Sequence, residues 1–165
     1  MAIIVETGSG SPNSESYCSV VYADIYHAGR GYVAWDNADD KEAALRKATD
    51  YMGQRFRGMW RGYRHFKIQA LDWPRVGVVV DRFVVVDSDI VPDGIIRACA
   101  EYALRAATGD LQPDRTQTVV RKKIGEIEVE YDKSSPQTTR YDAVSNLLSP
   151  YLSAGGGATS RLVRS

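Results

Sequence analysis

The chain is poor in the residues that do chemistry. Its 165 residues include two cysteines and two histidines, and 21 lysines and arginines cancel against 21 aspartates and glutamates. Cys18 and Cys99 lie far apart and match no metal-ligand spacing; among apolar neighbours a thiol acts as a small hydrophobe. So few cysteines fit a reducing compartment rather than a disulfide scaffold. Zero net charge argues against a general nucleic-acid coat, which carries a basic excess, while leaving room for a local basic patch. It also gives little protection against self-association, as suits a subunit of an assembly. No apolar run is long enough to span a membrane. Met1 to Val5 is too short for a signal peptide and has no basic lead, so the expected location is the cytoplasm.

The same scarcity removes the usual active sites, and the expectation is no enzyme and no cofactor. His27 and His65 stand beside no candidate nucleophile and in no metal spacing. Gly155-Gly156-Gly157 is no phosphate loop, because no strand precedes it and no Gly-Lys-Ser/Thr follows. Asp87, Asp89 and Asp93 lack the glycine turn and closing glutamate of a calcium loop, and helix capping explains them better.

What is present is one domain's worth of ordinary globular sequence, 44% hydrophobic and 25% charged. Residues 6–15 are a Gly/Ser/Pro-rich stretch, read as a linker that leaves residues 1–16 as a flexible arm or a strand lent to a neighbour. Ser19 is placed to cap a helix running to about Ala28, ended by Gly29, with Tyr22, Ile25 and Tyr26 on one face. A loop over 30–38 holds Trp35. A second helix starts near Asp39, with Leu45, Ala48, Met52 and Phe56 as its buried stripe and Glu42 four residues before Arg46 for mutual support. Val78-Val79-Val80 and Phe83-Val84-Val85-Val86 read as paired strands of open register, since Asp81-Arg82 lacks the glycine of a tight hairpin.

Pro92 precedes a helix over about 93–108, buried through Ile95, Cys99, Tyr102 and Ala106, with Arg97, Glu101 and Arg105 outside. Ile127, Val129 and Tyr131 alternate with Glu126, Glu128 and Glu130, the period of a half-buried strand. A two-residue turn at Ile124-Gly125 would set Lys123 opposite Glu126 and Arg121 opposite Glu128, with Val120, Val129 and Tyr131 inside. A last amphipathic helix, about 139–152 and bent at Pro150, carries Tyr141, Val144, Leu147, Leu148 and Tyr151. A glycine-rich tail over 153–165 follows. The expected fold is mainly α with small β-hairpins (α+β): about four helices, one or two antiparallel hairpins and extended terminal arms around a domain at 17–152.

Two stretches stand out. Arg55, Arg57, Arg61, Arg64 and Lys67 are interleaved with Phe56, Trp60, Tyr63 and Phe66. Arginines among aromatics stack bases and follow phosphates, and the same mixture marks protein interfaces. The interface candidates are therefore Arg55, Arg57, Trp60, Arg61, Tyr63 and Arg64, facing a neighbouring subunit or DNA; the plain structural alternative is that Phe56 and Trp60 are core and the arginines pair with acidic residues. Next comes Gln69-Ala70-Leu71-Asp72-Trp73-Pro74-Arg75. Proline pushes Trp73 out of the helical region, so Gln69, Trp73, Pro74 and Arg75 read as a rigid structural corner.

Tyr22-Ala23-Asp24-Ile25-Tyr26, the 43–51 helix, Arg55-Phe56-Arg57-Gly58, Gln69-Ala70-Leu71-Asp72-Trp73-Pro74-Arg75 and Ala98-Cys99-Ala100-Glu101-Tyr102-Ala103 occur in that order. Over about 17–152 the chain resembles the small phage proteins often labelled "putative DnaT-like single-stranded-DNA-binding protein". In size and layout it is similar to the head–tail connector, or adaptor, proteins of long-tailed bacteriophages. That resemblance implies a structural neck protein of the virion, made in the host cytoplasm and placed at the capsid vertex. Such proteins form an oligomeric ring, commonly a dodecamer, beneath the portal protein. The ring extends the channel for genomic DNA and docks the next neck or tail-completion protein. The resemblance also implies portal binding through the C-terminal segment, here Tyr141, Leu148, Tyr151, Leu152, Arg161, Leu162, Val163 and Arg164. The Arg/aromatic patch would meet Asp36, Asp39 and Asp40 of the next subunit. The alternative is a single-stranded-DNA-binding protein that uses the 55–67 patch.

Overall fold

A computed structural model describes residues 2–113, 119–123, 128–131 and 141–153, the two middle segments as backbone. The helices are α1 Val20–Ala28, the single turn α2 Val33–Asp36, α3 Lys41–Phe56, α4 Asp93–Thr108 and α5 Asp142–Leu148, which runs into a 3-10 turn at Ser149–Tyr151. Among the described residues six short strands pair as three separate antiparallel ribbons. These are β1 Tyr63–Arg64 with β2 Arg75–Val76, β3 Val79–Val80 with β4 Val84–Val85, and β5 Val119–Lys123 with β6 Glu128–Tyr131. The fold is α+β, dominated by helices. Among the described residues no helix is long and apolar enough to cross a membrane.

The helices start where side chains can satisfy their first amides. Ser19 Oγ accepts from Tyr22 N at 3.1 Å, and Asp40 Oδ1 accepts from Ala43 N at 2.8 Å. Each such cap contributes about 1 kcal/mol. Leu45, Ala48, Met52 and Phe56 of α3 are buried against Ile95, Cys99, Tyr102 and Ala106 of α4. Ala98, Ala100 and Ala103 of α4 are fully buried; methyl side chains let neighbouring elements approach closely. α5 adds Val144 and Leu148 to the same core. Glu42 pairs with Arg46 at 3.3 Å on the outer face of α3, as its i,i+4 spacing predicts.

Burial departs from the helical pattern at three places. Ile25 is 70% exposed while Tyr26 and His27 turn inward. Glu101, expected outside, is buried because Tyr26 Oη donates to its Oε1 at 3.1 Å and Arg105 Nη1 to its Oε2 at 2.8 Å. Trp35 is fully buried on α2, where a loop was expected, its Nε1 donating to Asp24 Oδ1 at 2.8 Å.

The linker reading of residues 6–15 is corrected outright. Val5 bridges Ser16 in parallel, and the loop between them closes on the buried carboxylate of Glu6. Glu6 Oε1 accepts from Gly8 N at 2.8 Å and Gly10 N at 2.9 Å; Oε2 accepts from Ser11 N and Ser14 Oγ, both at 2.9 Å. Small residues and hydroxyls, which read as linker composition, are what let a chain wrap tightly round an anion.

The ribbons differ from expectation in register. Val79 opposes Val85 and Val80 opposes Val84, so Phe83 joins Asp81 and Arg82 in the turn. Asp81 and Arg82 hold φ of 48° and 69°, a left-handed backbone that costs a residue with a Cβ about 1–2 kcal/mol. In the third ribbon Lys123 faces Glu128 and Arg121 faces Glu130, two residues on from the expected Glu126 and Glu128. The ladder carries a register irregularity between Val119 and Arg121, and positions of opposite charge are still paired. The expected turn at 124–125 and the inward placing of Val120, Val129 and Tyr131 lie outside the described residues and side chains.

His27 is fully buried, its Nε2 at 3.1 Å from Ala100 O and its Nδ1 without a partner among the described residues. Burial holds its pKa below the ordinary 6.5. The folded chain therefore resists a proton that the unfolded chain takes up below about pH 6.5. Stability should be level above pH 7 and fall as pH drops through 6.5, by up to about 1.4 kcal/mol per pH unit from this group. Urea unfolding from pH 7.5 to 5.5 reads this directly. His27→Gln, which keeps a donor for Ala100 O, should flatten the profile; an unchanged slope would remove His27 as its source.

Candidate functional site

The 55–67 stretch does not present its side chains as one patch. α3 ends at Phe56, and the chain turns through Gly58 and Gly62, both at positive φ, into β1. Along that path Phe56 and Trp60 alone are buried. Trp60 is buried, not an exposed stacking ring: its Nε1 donates to Asp72 Oδ2 at 3.3 Å, and its ring lies 5.9 Å from Trp73, edge to face.

Two of the arginines are tied to backbone carbonyls. Arg61 gives Nε to Leu152 O at 2.9 Å and Nη1 to Val79 O at 2.6 Å. Arg64 Nη2 donates to Gln69 O. Such arginines hold loops together; they are not loose cations waiting for a phosphate. Arg55 and Arg57 are exposed, and Arg57 Nε stands 3.7 Å from Asp72 Oδ1.

The corner is a buried hub. Gln69, Trp73, Pro74 and Arg75 are all buried, and the Trp73–Pro74 peptide is cis. Gln69 Oε1 accepts from Phe66 N at 2.8 Å while its Nε2 donates to Leu71 O and Pro74 O. Arg75 spreads its fork over three carbonyls, Arg61 O at 2.8 Å, Gly62 O at 2.7 Å and Asp72 O at 3.1 Å. Tyr17, which sequence reasoning passed over, accepts from Asp72 N at 2.9 Å and Trp73 N at 3.3 Å.

Two surfaces are left outside this hub. One carries Tyr63, 80% exposed, and the stacked pair His65–Phe66, with ring centroids 4.1 Å apart and planes 1° from parallel. Lys67 is exposed beside them. His65 is fixed by Nδ1 at 2.6 Å from Ser88 O. The other surface is apolar: Phe83, 86% exposed, with Val84 and Val85 on the β3–β4 ribbon; Ile68 and Val76 are exposed as well.

The described part of the segment expected to dock a portal packs against the rest of the fold. Leu148 is fully buried and unavailable for docking. Tyr141 Oη donates to Leu111 O at 3.2 Å, the Tyr151 ring meets Trp73 edge-on at 5.6 Å, and Leu152 bridges Trp60. Arg161, Leu162, Val163 and Arg164 lie outside the described residues.

Among the described residues no three His, Cys, Asp or Glu side chains gather as a metal site. Cys18 and Cys99 are buried and in no disulfide, and burial pushes both thiols above their ordinary pKa. That disfavours the thiolate a nucleophile needs.

No curated protein and no solved structure shows a significant match to the chain. One family profile, described as "Putative DnaT-like ssDNA binding protein", matches residues 1–165. With its whole length matched, the chain belongs to that DnaT-like family.

Proposed function

We propose that the chain binds single-stranded nucleic acid on the surface formed by Tyr63, His65 and Phe66, with Arg55, Arg57 and Lys67 as the phosphate contacts. The observation that carries this reading is the exposed ring of Tyr63 beside the stacked His65–Phe66 pair, in a chain whose family is described by single-strand binding. Aromatic faces accept any base and contribute about 1–3 kcal/mol per stacked base. Trp60 has no part in it, being buried.

Three cations set a modest electrostatic share. The logarithm of the binding constant should fall against that of salt with a slope of roughly −2, about 0.7 per phosphate on a single strand. Fluorescence anisotropy of a labelled oligonucleotide measures this. Tyr63→Ala should weaken binding roughly 5- to 150-fold, the equivalent of about 1–3 kcal/mol. No saturable binding at low salt, or an unaltered Tyr63→Ala, would end the proposal.

The second reading is the head–tail adaptor: a subunit of a ring, about twelve copies on the resemblance, between the portal protein and the next neck or tail component. The observation favouring it is the apolar ribbon, where Phe83, Val84 and Val85 lie open to water. Contiguous exposed apolar surface marks protein contact, and zero net charge suits stacking of copies. The exposed Asp36, Asp39 and Asp40 would take the cations of the adjoining copy. Phe83→Asp separates the readings, for it should abolish assembly with portal yet leave oligonucleotide binding intact. Particles with no copies of this chain at the capsid vertex would dispose of the adaptor.

A further inference from the structure

A cleft of about 310 Å³ opens where α3 passes the corner, lined by Tyr17, Asp50, Gly53, Gln54, Arg57 and Asp72 with Leu71 and Ala70 on the same wall. Its size falls at the lower end of small-ligand sites. The polar groups come from three separate stretches of chain: Tyr17 and Asp72 are buried and held by hydrogen bonds, while Asp50, Gln54 and Arg57 are exposed at the rim. Asp72 is buried and holds Trp60 Nε1 at 3.3 Å. Tyr17 Oη accepts two backbone amides, which leaves its own hydroxyl proton to donate. Burial raises the Tyr17 phenol above its ordinary pKa, so it stays a donor. Asp50 stands one helical turn before Gln54 on α3, and burial alone raises its carboxyl pKa.

A second observation points to an occupant. Gly53 lies inside α3, where glycine is the least favourable residue after proline. A Cβ built on it meets nothing within 4 Å. Packing therefore does not require glycine here, whereas a larger side chain would project into the cleft.

We infer that this cleft holds one unstacked nucleobase bearing an exocyclic amine (cytosine, adenine or guanine, as against thymine), with Arg57 at its mouth on the adjoining phosphate. The inference rests on the single-strand reading and deepens it. Carboxylates accept from the cytosine amine, and Gln matches the adenine edge; Asp50, Asp72 and Gln54 supply these groups. Thymine would set carbonyl oxygens against the two carboxylates and is disfavoured. A partner's arginine or lysine head is the competing occupant. It would place a second cation beside Arg57, which already stands 3.7 Å from Asp72; a neutral heterocycle brings its donors without that charge.

The test is titration of the full chain with dCMP, dAMP and dTMP, followed by amide chemical shifts. Expected are shifts at Gly53, Gln54, Ala70 and Leu71, with dCMP or dAMP bound roughly tenfold more tightly than dTMP, the discrimination of about one well-made base contact. Gly53→Leu and Asp50→Asn should remove that preference while Tyr63→Ala leaves it alone. Gly53→Ala, the gentler filling, guards against a misfolded leucine variant and should weaken dCMP at an unchanged or higher unfolding temperature. Equal binding of dTMP, shifts elsewhere, an unaffected Gly53→Leu, or tighter binding of agmatine than of any nucleotide would overturn the cleft assignment. Oligonucleotide binding through Tyr63 with no base preference would leave the stacking face standing without the cleft. Nucleotide binding in the cleft with no oligonucleotide binding would do the reverse.

Discussion

Glu6→Ala should lower unfolding stability by about 3–5 kcal/mol, a large effect for a residue in a stretch of linker composition. Three backbone amides and two hydroxyls converge on its carboxylate, the weakest being Ser9 Oγ at 3.4 Å. Hydrogen bonds to a charged group contribute about 1.5–3 kcal/mol each, and a buried donor left without an acceptor costs about 1–3 kcal/mol. Alanine strands several donors at once, though water entering the opened loop should recover part of the loss.

The loop is also wedged in place. At Gly8, φ +117°, a Cβ would fall 1.8 Å from Asp89 O, and at Gly10, φ +68°, 2.0 Å from the Phe66 ring. Ala70 N donates to Ser11 O at 3.0 Å. Releasing Glu6 should therefore loosen Phe66, and the oligonucleotide affinity should fall with the stability. Urea unfolding gives the first quantity, and hydrogen exchange at Gly8, Gly10 and Ser11 gives the local one. Glu6→Gln, retaining one oxygen, should land between. A loss under about 1 kcal/mol, with those amides still protected, would mean the loop stands without the carboxylate.

Trp73→Ala should have an effect of the same size for a different reason. Trp73 is among the largest fully buried side chains, packed edge-on against Trp60 at 5.9 Å and Tyr151 at 5.6 Å. Removing a buried tryptophan costs about 3–5 kcal/mol, part lost transfer energy and part cavity. In a chain of this length that lowers Tm by roughly 6–20 °C. The loss should be concentrated where three segments meet, so the C-terminal turn at Ser149–Tyr151 should detach early on heating. Trp73→Phe keeps a ring against both neighbours and should lose less. Calorimetry with near-ultraviolet circular dichroism follows both variants; a Trp73→Ala chain melting within about 2 °C of the parent would show that the corner carries little of the fold.

Much of the architecture was legible in one dimension because its causes are short-range. Ser19 caps α1 and Asp40 caps α3, each through a residue three positions on. The apolar stripes of α3 and α4 follow from helical spacing, and the Trp-Pro-Arg corner follows from proline geometry and one arginine fork. The single-strand alternative was legible as composition, arginines among aromatics over 55–67. Which of those rings faces water was not. Trp60 turned inward because Asp72, twelve positions on, offers its indole an acceptor, while Tyr63 and Phe66 stayed outside.

Tertiary structure decided everything that depends on a partner distant in sequence. Glu101 is inside because Tyr26 reaches it from α1. Arg61 is a brace because Leu152 and Val79 come to lie beside it. The cleft beside Gly53 exists only once Tyr17, α3 and the corner are brought together. Caps and periodicity are written over three or four residues, and a chain read in order shows them. A buried polar group is matched by whichever donor the folded backbone carries to it, and no spacing in the sequence records that meeting.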